Sequence, residues 1–411
     1  MLKIVCCKHK NKYFYELYPY NTRIMTEKES ALHSSYIIDG IRWDATPAEL
    51  LDGCSEEPVG HAEDTAEDME AYKDIIDEST DPPVTSFTYS DDRINEYVAA
   101  CSETDAEERP FRMLYPDAFT RQRIARTLTD RLWNKGHYRL GDLRIWAKWT
   151  WNTRPLGNMA AFYLSVESAS SYLFDLGVKL HDYMLEETDE DSHARFYSWL
   201  PDRKETDEDA LEDFSFKESP YESHNPWISE ERKCSATVVP EEAGRIIYIP
   251  FDTCSYRIGG SLLAQVYGHN GGNGPKIKDP DYFIDCFEVV RELVEDGIVI
   301  AGATVADGGL ARAAASMCGE WGMKLDIQGL MASYQETDQV KILFGETPGV
   351  LLQIRENDMD YLDSQLLLQD VAYYPIGQPC PEKGPDFSVI SRNAVAGILA
   401  SLMGQASEGE D

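Results

Sequence analysis

The amino-acid sequence predicts an α/β fold, because two short apolar runs each end in a glycine turn that leads directly into a helix. Residues 245–251 are rich in β-branched side chains and have the length of one buried strand. Residues 298–306 have the same character, and a strongly amphipathic helix is predicted between the two runs, beginning at Pro280. Residues 245–315 are therefore the predicted centre of the fold.

The two glycine turns contain the first candidate binding residues. These are Asp252, Gly259, Gly260 and Ser261 at the first turn, and Asp307, Gly308 and Gly309 at the second. The backbone N–H groups at the start of a helix can bind an anion, phosphate included. The alternative at each turn is structural: the glycines permit a tight turn, and Ser261 or Asp307 caps the helix that follows. A further alternative for Asp307 is that its carboxylate holds a cation.

The charge balance disfavours two classes of partner. The chain has 38 lysine and arginine residues against 73 aspartate and glutamate residues, a formal net charge of −35. Such a chain is repelled by nucleic-acid phosphates and by anionic lipid surfaces. We therefore predict no nucleic-acid partner and no membrane partner, and solubility is the simplest reason for the acidity.

Cysteine usage and the N-terminal residues predict a cytoplasmic protein. The nine cysteines include no CxxC pair, which is typical of a reducing compartment rather than of a disulfide framework or a zinc site. The first ten residues lack the apolar core of a signal peptide. No apolar run approaches the roughly 20 residues that span a bilayer.

The upstream part of the chain divides by composition into two segments. Residues 1–53 are predicted to be a small β-rich segment, with strands at 2–7, 12–19 and 35–38 and a short helix at 47–51. Residues 54–109 are predicted to be an acidic linker, because they contain few large apolar side chains. One helix is predicted within the linker, around residues 69–76.

Two ordered domains are predicted downstream, followed by a C-terminal helix and acidic tail at 391–411. In the first, residues 110–240, the predicted elements are helices at 117–133 and 159–176, strands at 141–151, 178–180 and 234–239, and an acidic insertion at 186–230. In the second, residues 241–390, further elements are strands at 340–344, 350–354, 372–376 and 387–390 and a helix at 360–368. The last helix is predicted at 394–403.

Several motifs, taken together, resemble one enzyme family. They are Ile145-Trp-Ala-Lys-Trp149, Leu176-Gly177, Ser235-Ala236, Arg257-Ile-Gly-Gly-Ser-Leu-Leu-Ala-Gln-Val-Tyr267, Asp307-Gly-Gly-Leu310, Leu343-Phe-Gly-Glu-Thr-Pro-Gly349 and Ile376-Gly-Gln378. In this order and at close to this spacing, they resemble phosphoribosylformylglycinamidine synthase, the amidine-forming ligase of purine biosynthesis. The likeness covers about residues 110–390 and maps to the second of the two halves similar to aminoimidazole ribonucleotide (AIR) synthase that such synthases contain.

The resemblance implies an AIR-synthase-like fold of two subdomains. The N-terminal subdomain, about residues 110–240, would contribute strands to a barrel-like dimer, and the C-terminal one, about 241–390, would pack helices on a mixed sheet. In the family, nucleotide and magnesium lie between the subdomains, so ATP or ADP with Mg²⁺ is the implied cofactor. The implied partners are a second copy or a related synthase subunit, with a phosphate-bearing small molecule as ligand.

The departures from the family pattern concern the implied metal and nucleotide residues. Arg126 and Asp130 stand where the family carries a Glu and an Asn on its metal-binding helix, and a guanidinium cannot ligate Mg²⁺. Residues 303–306, Ala-Thr-Val-Ala, stand where the family has His-Asp-x-Ser, and Lys148 replaces an Asn. We therefore predict neither a metal site nor a catalytic residue in this chain.

Several of the remaining candidate residues have two readings. Glu346 lies in a tight turn, where it is either a ligand in the binding cleft or a solvated carboxylate. Arg126, Lys148 and Arg154 either give the cleft a positive lining or form salt bridges. The imidazoles of His181 and His269 are predicted to have simple polar roles, and the three tryptophans at 146, 149 and 151 are predicted to belong to a core or an interface.

Three functions are consistent with these observations. The favoured hypothesis is a degenerate synthase half, a pseudoenzyme with a structural or assembly role. The first alternative is an active ATP-dependent ligase acting on a formylglycinamide-like ribonucleotide. The second is a small-molecule sensor that uses the remodelled cleft. A likeness of fold alone does not decide between them.

Overall fold

The computed structural model describes residues 31–38, 40–55, 72–74, 89–200, 231–242 and 244–387 of the chain. The strands predicted at 2–7 and 12–19 and the helix predicted at 394–403 lie outside these residues, as does most of the predicted acidic insertion. Within the described ranges, no helix is both long enough and apolar enough to cross a membrane.

The described part of the chain contains both β-strands and α-helices. The strands are β1 (Tyr36–Ile38), β2 (Ile41–Trp43), β3 (Tyr72–Asp74), β4 (Arg144–Trp151), β5 (Lys179–Glu187), β6 (His193–Trp199), β7 (Arg245–Pro250), β8 (Val299–Val305), β9 (Gly322–Leu325), β10 (Gly349–Ile354), β11 (Tyr374–Cys380) and β12 (Gly384–Asp386). The helices are α1 (Pro47–Asp52), α2 (Ile94–Glu103), α3 (Pro116–Thr129), α4 (Asn158–Asp175), α5 (Leu262–Val266), α6 (Pro280–Glu295), α7 (Gly309–Cys318), α8 (Gln328–Ser333), α9 (Gln339–Phe344) and α10 (Met359–Leu368). They belong to two units, which we call the sheet unit and the turn unit.

The sheet unit contains the described residues up to 74 together with 109–131 and 136–200. Its larger sheet has the order β5-β4-β6, in which β4 runs parallel to β5 and antiparallel to β6. A small sheet, β2-β1-β3, lies in the same unit. Helices α3 and α4 pack on each other and share the core of this unit with the larger sheet.

The tryptophans of β4 are all buried, and two of them belong to this core, in agreement with the core or interface position that the sequence predicts. Trp149 and Trp151 are fully buried, and their indole N–H groups donate to the hydroxyl of Ser165 (3.0 Å) and the carbonyl of Asn158 (2.8 Å) on α4. Trp146 points to the other face and meets the ring of Tyr197 at 5.2 Å between centroids. The hydrogen bonds satisfy polar atoms that would otherwise be costly to bury.

The turn unit contains residues 89–108, 132–135 and the described residues from 231 onward. Its mixed six-stranded sheet has the order β12-β9-β11-β7-β10-β8, antiparallel except for the β12–β9 pair. Every residue of β10 is buried, consistent with a central strand covered on both faces. The amphipathic helix α6 packs its apolar stripe on the sheet, with the rings of Phe283 and Phe251 at 5.3 Å.

Helix α2 shows that the predicted acidic linker does not extend through residues 94–103. Ile94, Tyr97, Val98 and Cys101 are buried and share the core of the turn unit with α5, α7 and α9. Their spacing is helical, a signal that the surrounding acidic residues obscured. Further upstream, residues 72–74 form strand β3, so the helix predicted around 69–76 is wrong at these positions.

Three predicted elements are corrected by the structure. Residues 340–344 form helix α9 instead of a strand, because the side chain of Asp338 accepts the N–H of Val340 and starts a helical turn. A run of five apolar residues is too short for its period to be read from the sequence. Residues 234–239 contain one bridge, Ser235 to Ala301, and no strand. The predicted acidic insertion begins too early, because β5 extends to Glu187 and β6 follows it.

Candidate functional site

The first glycine turn is closed by main-chain atoms of the loop at 268–274. The N–H of Gly259 donates to the carbonyl of Asn273 (3.0 Å), and the N–H of Gly260 donates to that of Asn270 (2.9 Å). A side chain on Gly259 would clash with the main chain of Gly272 and Asn273. Ser261 caps α5, since its hydroxyl accepts the N–H of Ala264 at 3.2 Å. The capping reading of Ser261 is therefore confirmed.

Asp252 joins the end of β7 to the start of α6. The carboxylate is 1% exposed; Oδ1 accepts the N–H of Cys254 (2.8 Å), and Oδ2 accepts those of Lys278 (3.0 Å) and Asp279 (3.1 Å). The side chain of Asp279 in turn caps α6. Three main-chain donors stabilise this buried charge, so the geometry gives Asp252 a structural role in holding the two segments together.

The second glycine turn owes its shape to two left-handed residues. Gly308 and Gly309 have φ angles of 80° and 65°, a conformation that favours glycine. A Cβ on Gly309 would stand 2.6 Å from the carbonyl oxygen of Leu343, so the glycine also allows α7 to start close to α9. The N-cap position of α7 is Gly308, and Asp307 precedes it, so the prediction that Asp307 is the cap is wrong.

Glu346 connects the two turns. Its carboxylate is buried, and a single oxygen, Oε1, accepts the N–H of Leu262 at 2.6 Å and the N–H of Gly308 at 2.7 Å. Leu262 is the first residue of α5, and Gly308 is the N-cap of α7. The reading of Glu346 as a solvated carboxylate is therefore wrong. The Glu346 carboxylate lies at the starts of α5 and α7, where the partial positive charge of the helix N-termini favours a negative group.

The end of β8 is covered by an indole. The Nε1–H of Trp133 donates to Oγ1 of Thr304 at 3.0 Å, and the ring lies so close to Gly302 that a Cβ there would clash with it. The guanidinium of Arg232 stacks on the ring at 5.4 Å from its centroid and donates to the carbonyl of Gly302. Thr304 occupies the position at which the resemblance implies a metal-binding Asp, and here its oxygen accepts an indole N–H.

Arg291 is a structurally important residue that the sequence reading missed. It is fully buried in α6, and Nη1 donates to the carbonyls of Leu132 (2.6 Å) and Asn134 (2.7 Å) on either side of Trp133. It also forms an ion pair with Glu295, four residues later. The signal in the sequence was an arginine beside the apolar stripe of α6, with a glutamate one turn after it.

Arg126, Lys148 and Arg154, the three basic residues considered for a positive lining, all form ion pairs. The distances are 3.8 Å for Arg126–Asp130, 2.8 Å for Lys148–Glu186 and 3.0 Å for Arg154–Asp189. The salt-bridge reading of these residues is confirmed. Because the pairs are partly or largely exposed to solvent, each contributes little to stability. Arg126, which stands at a position where the resemblance implies a metal ligand, is thus paired with Asp130 one helical turn later.

The described cysteines are free thiols in buried positions. Burial raises the pKa of Cys254 to about 12 and the pKa of Cys318 to about 12. Burial also raises the pKa of Cys286. A thiol with a pKa this high is protonated at neutral pH and is a poor nucleophile. The His181 ring packs edge-on against Trp199 at 4.9 Å.

Comparisons with known proteins support the resemblance. The family model described as "AIR synthase related protein, C-terminal domain" matches residues 251–387. The probable chloroplastic/mitochondrial phosphoribosylformylglycinamidine synthase of Arabidopsis thaliana is 27% identical over 281 residues, which cover 66% of this chain and 18% of that protein. The human phosphoribosylformylglycinamidine synthase is 29% identical over 147 residues, covering 35% of this chain and 10% of that protein.

Among solved structures, PurLQS from Thermotoga maritima matches with a TM-score of 0.44 and 11% identity, covering 65% of this chain and 38% of that one. The matched part of the chain corresponds to less than a fifth of the length of the Arabidopsis thaliana and human synthases. The mixed α/β architecture agrees with the fold that the resemblance implies. The predicted likeness to the phosphoribosylformylglycinamidine synthases is confirmed, and within it residues 251–387 match the model of the AIR synthase-related C-terminal domain.

Proposed function

We propose that this chain is a phosphoribosylformylglycinamidine synthase-related protein with a structural or assembly role, and that it does not perform ATP-dependent ligation. The observation that carries the proposal is the hydrogen bond from Trp133 to Thr304 at the end of β8. Mg²⁺ requires oxygen ligands in near-octahedral geometry at about 2.1 Å. A threonine whose oxygen accepts an indole N–H, beneath a packed ring, is a poor substitute for a carboxylate ligand.

Two further observations support the proposal. Arg126, which stands at the second implied ligand position, is paired with Asp130 in the same helix. At the glycine turns, the N–H groups of Gly259, Gly260 and Gly308 donate to acceptors of the chain itself. Nucleotide phosphates would have to displace these acceptors to bind at either turn.

The test is a calorimetric titration of the full chain with ATP in the presence of Mg²⁺. We expect no measurable heat of binding at nucleotide concentrations up to about 1 mM. This result would mean that any dissociation constant for ATP lies well above about 1 mM. PurL from Thermotoga maritima, which has been solved in complex with ATP, is the positive control under the same conditions. Binding of ATP with a micromolar dissociation constant would contradict the proposal and support the alternative of an active ligase acting on a formylglycinamide-like ribonucleotide.

The proposed assembly role calls for a partner, either a second copy of the chain or a related synthase subunit. The three long strands of the β5-β4-β6 sheet are the described elements that correspond to the strands implied to form a barrel-like dimer. Light scattering of the purified chain tests the first partner. We expect the mass of a dimer, and a monodisperse monomer would contradict a homodimer while leaving a synthase subunit to be tested by co-purification.

A further inference from the structure

The Glu346 carboxylate links segments that are far apart in sequence. It lies 84 residues from Leu262 and 38 residues from Gly308, and a single oxygen accepts the N–H groups of both. The side chain is 3% exposed, so these hydrogen bonds are shielded from water. Charge-assisted hydrogen bonds in such surroundings are stronger than those between neutral groups.

The turn that carries Glu346 is itself held by the backbone. The N–H of Gly345, the residue just after α9, donates to the carbonyl of Lys341 within that helix (2.7 Å). After the glutamate, the N–H of Thr347 donates to the carbonyl of Gly345 (2.9 Å), and the carbonyl of Pro348 accepts the N–H of Phe251 (2.7 Å). Residues on both sides of Glu346 are therefore anchored, and the carboxylate is presented in one position.

The first N–H groups of a helix have no acceptor within the helix and carry partial positive charge. At α5 and α7 these two properties meet at one point, because the donors of Leu262 and Gly308 converge on the same oxygen. A carboxylate tethered by its own chain has a high effective concentration at this point, which an anion from solution has to overcome.

We propose that Glu346 is an internal anion that locks the two glycine turns together. It sets the relative position of α5 and α7 and occupies the place that an external anion would need. The lock rests on the proposed function, since it assumes that the turns are not used to bind phosphate in this chain. The negative charge is an essential part of the lock, in addition to the position of the oxygen.

The lock is tested by thermal unfolding of two variants of the full chain. Glu346→Ala leaves two buried donors without their acceptor, and we expect the midpoint temperature to fall by roughly 5–10 °C. Glu346→Gln retains an oxygen in the same place but not the charge, so we expect roughly half that fall. Glu320→Ala, which removes an exposed carboxylate just after α7, is the matched control and is expected to leave the midpoint unchanged.

Sodium formate is the probe for the internal anion. At about 100 mM, formate is expected to recover part of the loss in Glu346→Ala, with no comparable effect on the wild-type chain or in sodium chloride of equal ionic strength. If Glu346→Ala does not fold alone, formate during refolding is expected to restore folded protein where sodium chloride does not. The proposal would be overturned by any of three results: equal effects of formate on all variants, no recovery of Glu346→Ala by formate, or an unchanged midpoint temperature in Glu346→Gln. None of these readouts involves nucleotide, so failure of the lock is distinct from failure of the proposed function.

Discussion

The two glycine turns of the turn unit look alike in sequence but are closed in different ways. Both follow a buried strand and lead into a helix. The first is closed by carbonyl groups of Asn270 and Asn273, whereas the second is closed by the side chain of Glu346. The comparison shows that a glycine turn before a helix is not by itself a phosphate site, because the chain can supply the acceptors in either form.

The difference also determines how each turn can be perturbed. The main-chain closure of the first turn cannot be removed by a substitution, and it is sensitive to added volume. The side-chain closure of the second turn can be removed with one substitution, and the proposed lock predicts that an anion from solution can replace it. The predictions below use this contrast, beginning with the largest expected effect.

Gly259→Ala is expected to lower the free energy of unfolding by about 3 kcal/mol or more, because the new methyl group meets the main chain of Gly272 and Asn273, which cannot give way as a flexible side chain would. Urea denaturation measures the change. Gly329→Ala, in α8 with open space around the added carbon, is the matched control and is expected to be neutral or to stabilise by up to about 1 kcal/mol. Equal effects of the two substitutions would contradict the closed first turn.

Asp252→Ala is expected to cost about 2–3 kcal/mol, because three main-chain N–H groups, that of Cys254 buried and those of Lys278 and Asp279 partly buried, lose their acceptor. Asp252→Asn keeps one acceptor oxygen and is expected to cost less. Urea denaturation followed by tryptophan fluorescence provides the comparison. A loss no larger than that of an exposed aspartate, such as Asp281→Ala, would show that Asp252 does not tie β7 to α6.

The Trp133–Thr304 hydrogen bond is expected to contribute about 1 kcal/mol. Thr304→Val and Trp133→Phe each remove one partner, and a double-mutant cycle of the two isolates their coupling from the other effects of each substitution. We expect a coupling energy of about 1 kcal/mol in urea denaturation. A coupling close to zero would mean that the indole does not engage Thr304, and the proposed function would lose its main support.

The smallest effect concerns chemical reactivity. Because burial raises the pKa of Cys254 to about 12, roughly one thiol in ten thousand is ionised at pH 8, and the ionised fraction rises about tenfold per pH unit as the pH increases. We expect no alkylation of Cys254 by iodoacetamide in the native chain within an hour, and complete alkylation in urea, as measured by peptide mass spectrometry. Equally fast alkylation in both conditions would show that the first turn opens readily.

Local patterns in the sequence predicted much of the fold and few of the contacts at the turns. The stripe of α6 repeats over enough residues for a helical period to be recognised, and β7 and β10 were recognised as short continuous apolar runs. The five-residue run of α9 is too short, and α2 was obscured by the acidic composition around it. The hydrogen bonds of Glu346 and Trp133 depend on tertiary packing, and no local pattern encodes them. The partner of Trp133, for example, is Thr304, which lies 171 positions later in the sequence.

The most direct test of the closed turns is amide hydrogen exchange of Leu262 and Gly308, followed by NMR in the wild-type chain and in Glu346→Gln. Both amides donate to Glu346, so we predict slow exchange in the wild type, faster exchange in the variant, and no change when about 1 mM ATP with Mg²⁺ is added. Rapid exchange of these amides in the wild type, or protection that appears only with micromolar ATP, would contradict the account and indicate that the turns are open to nucleotide.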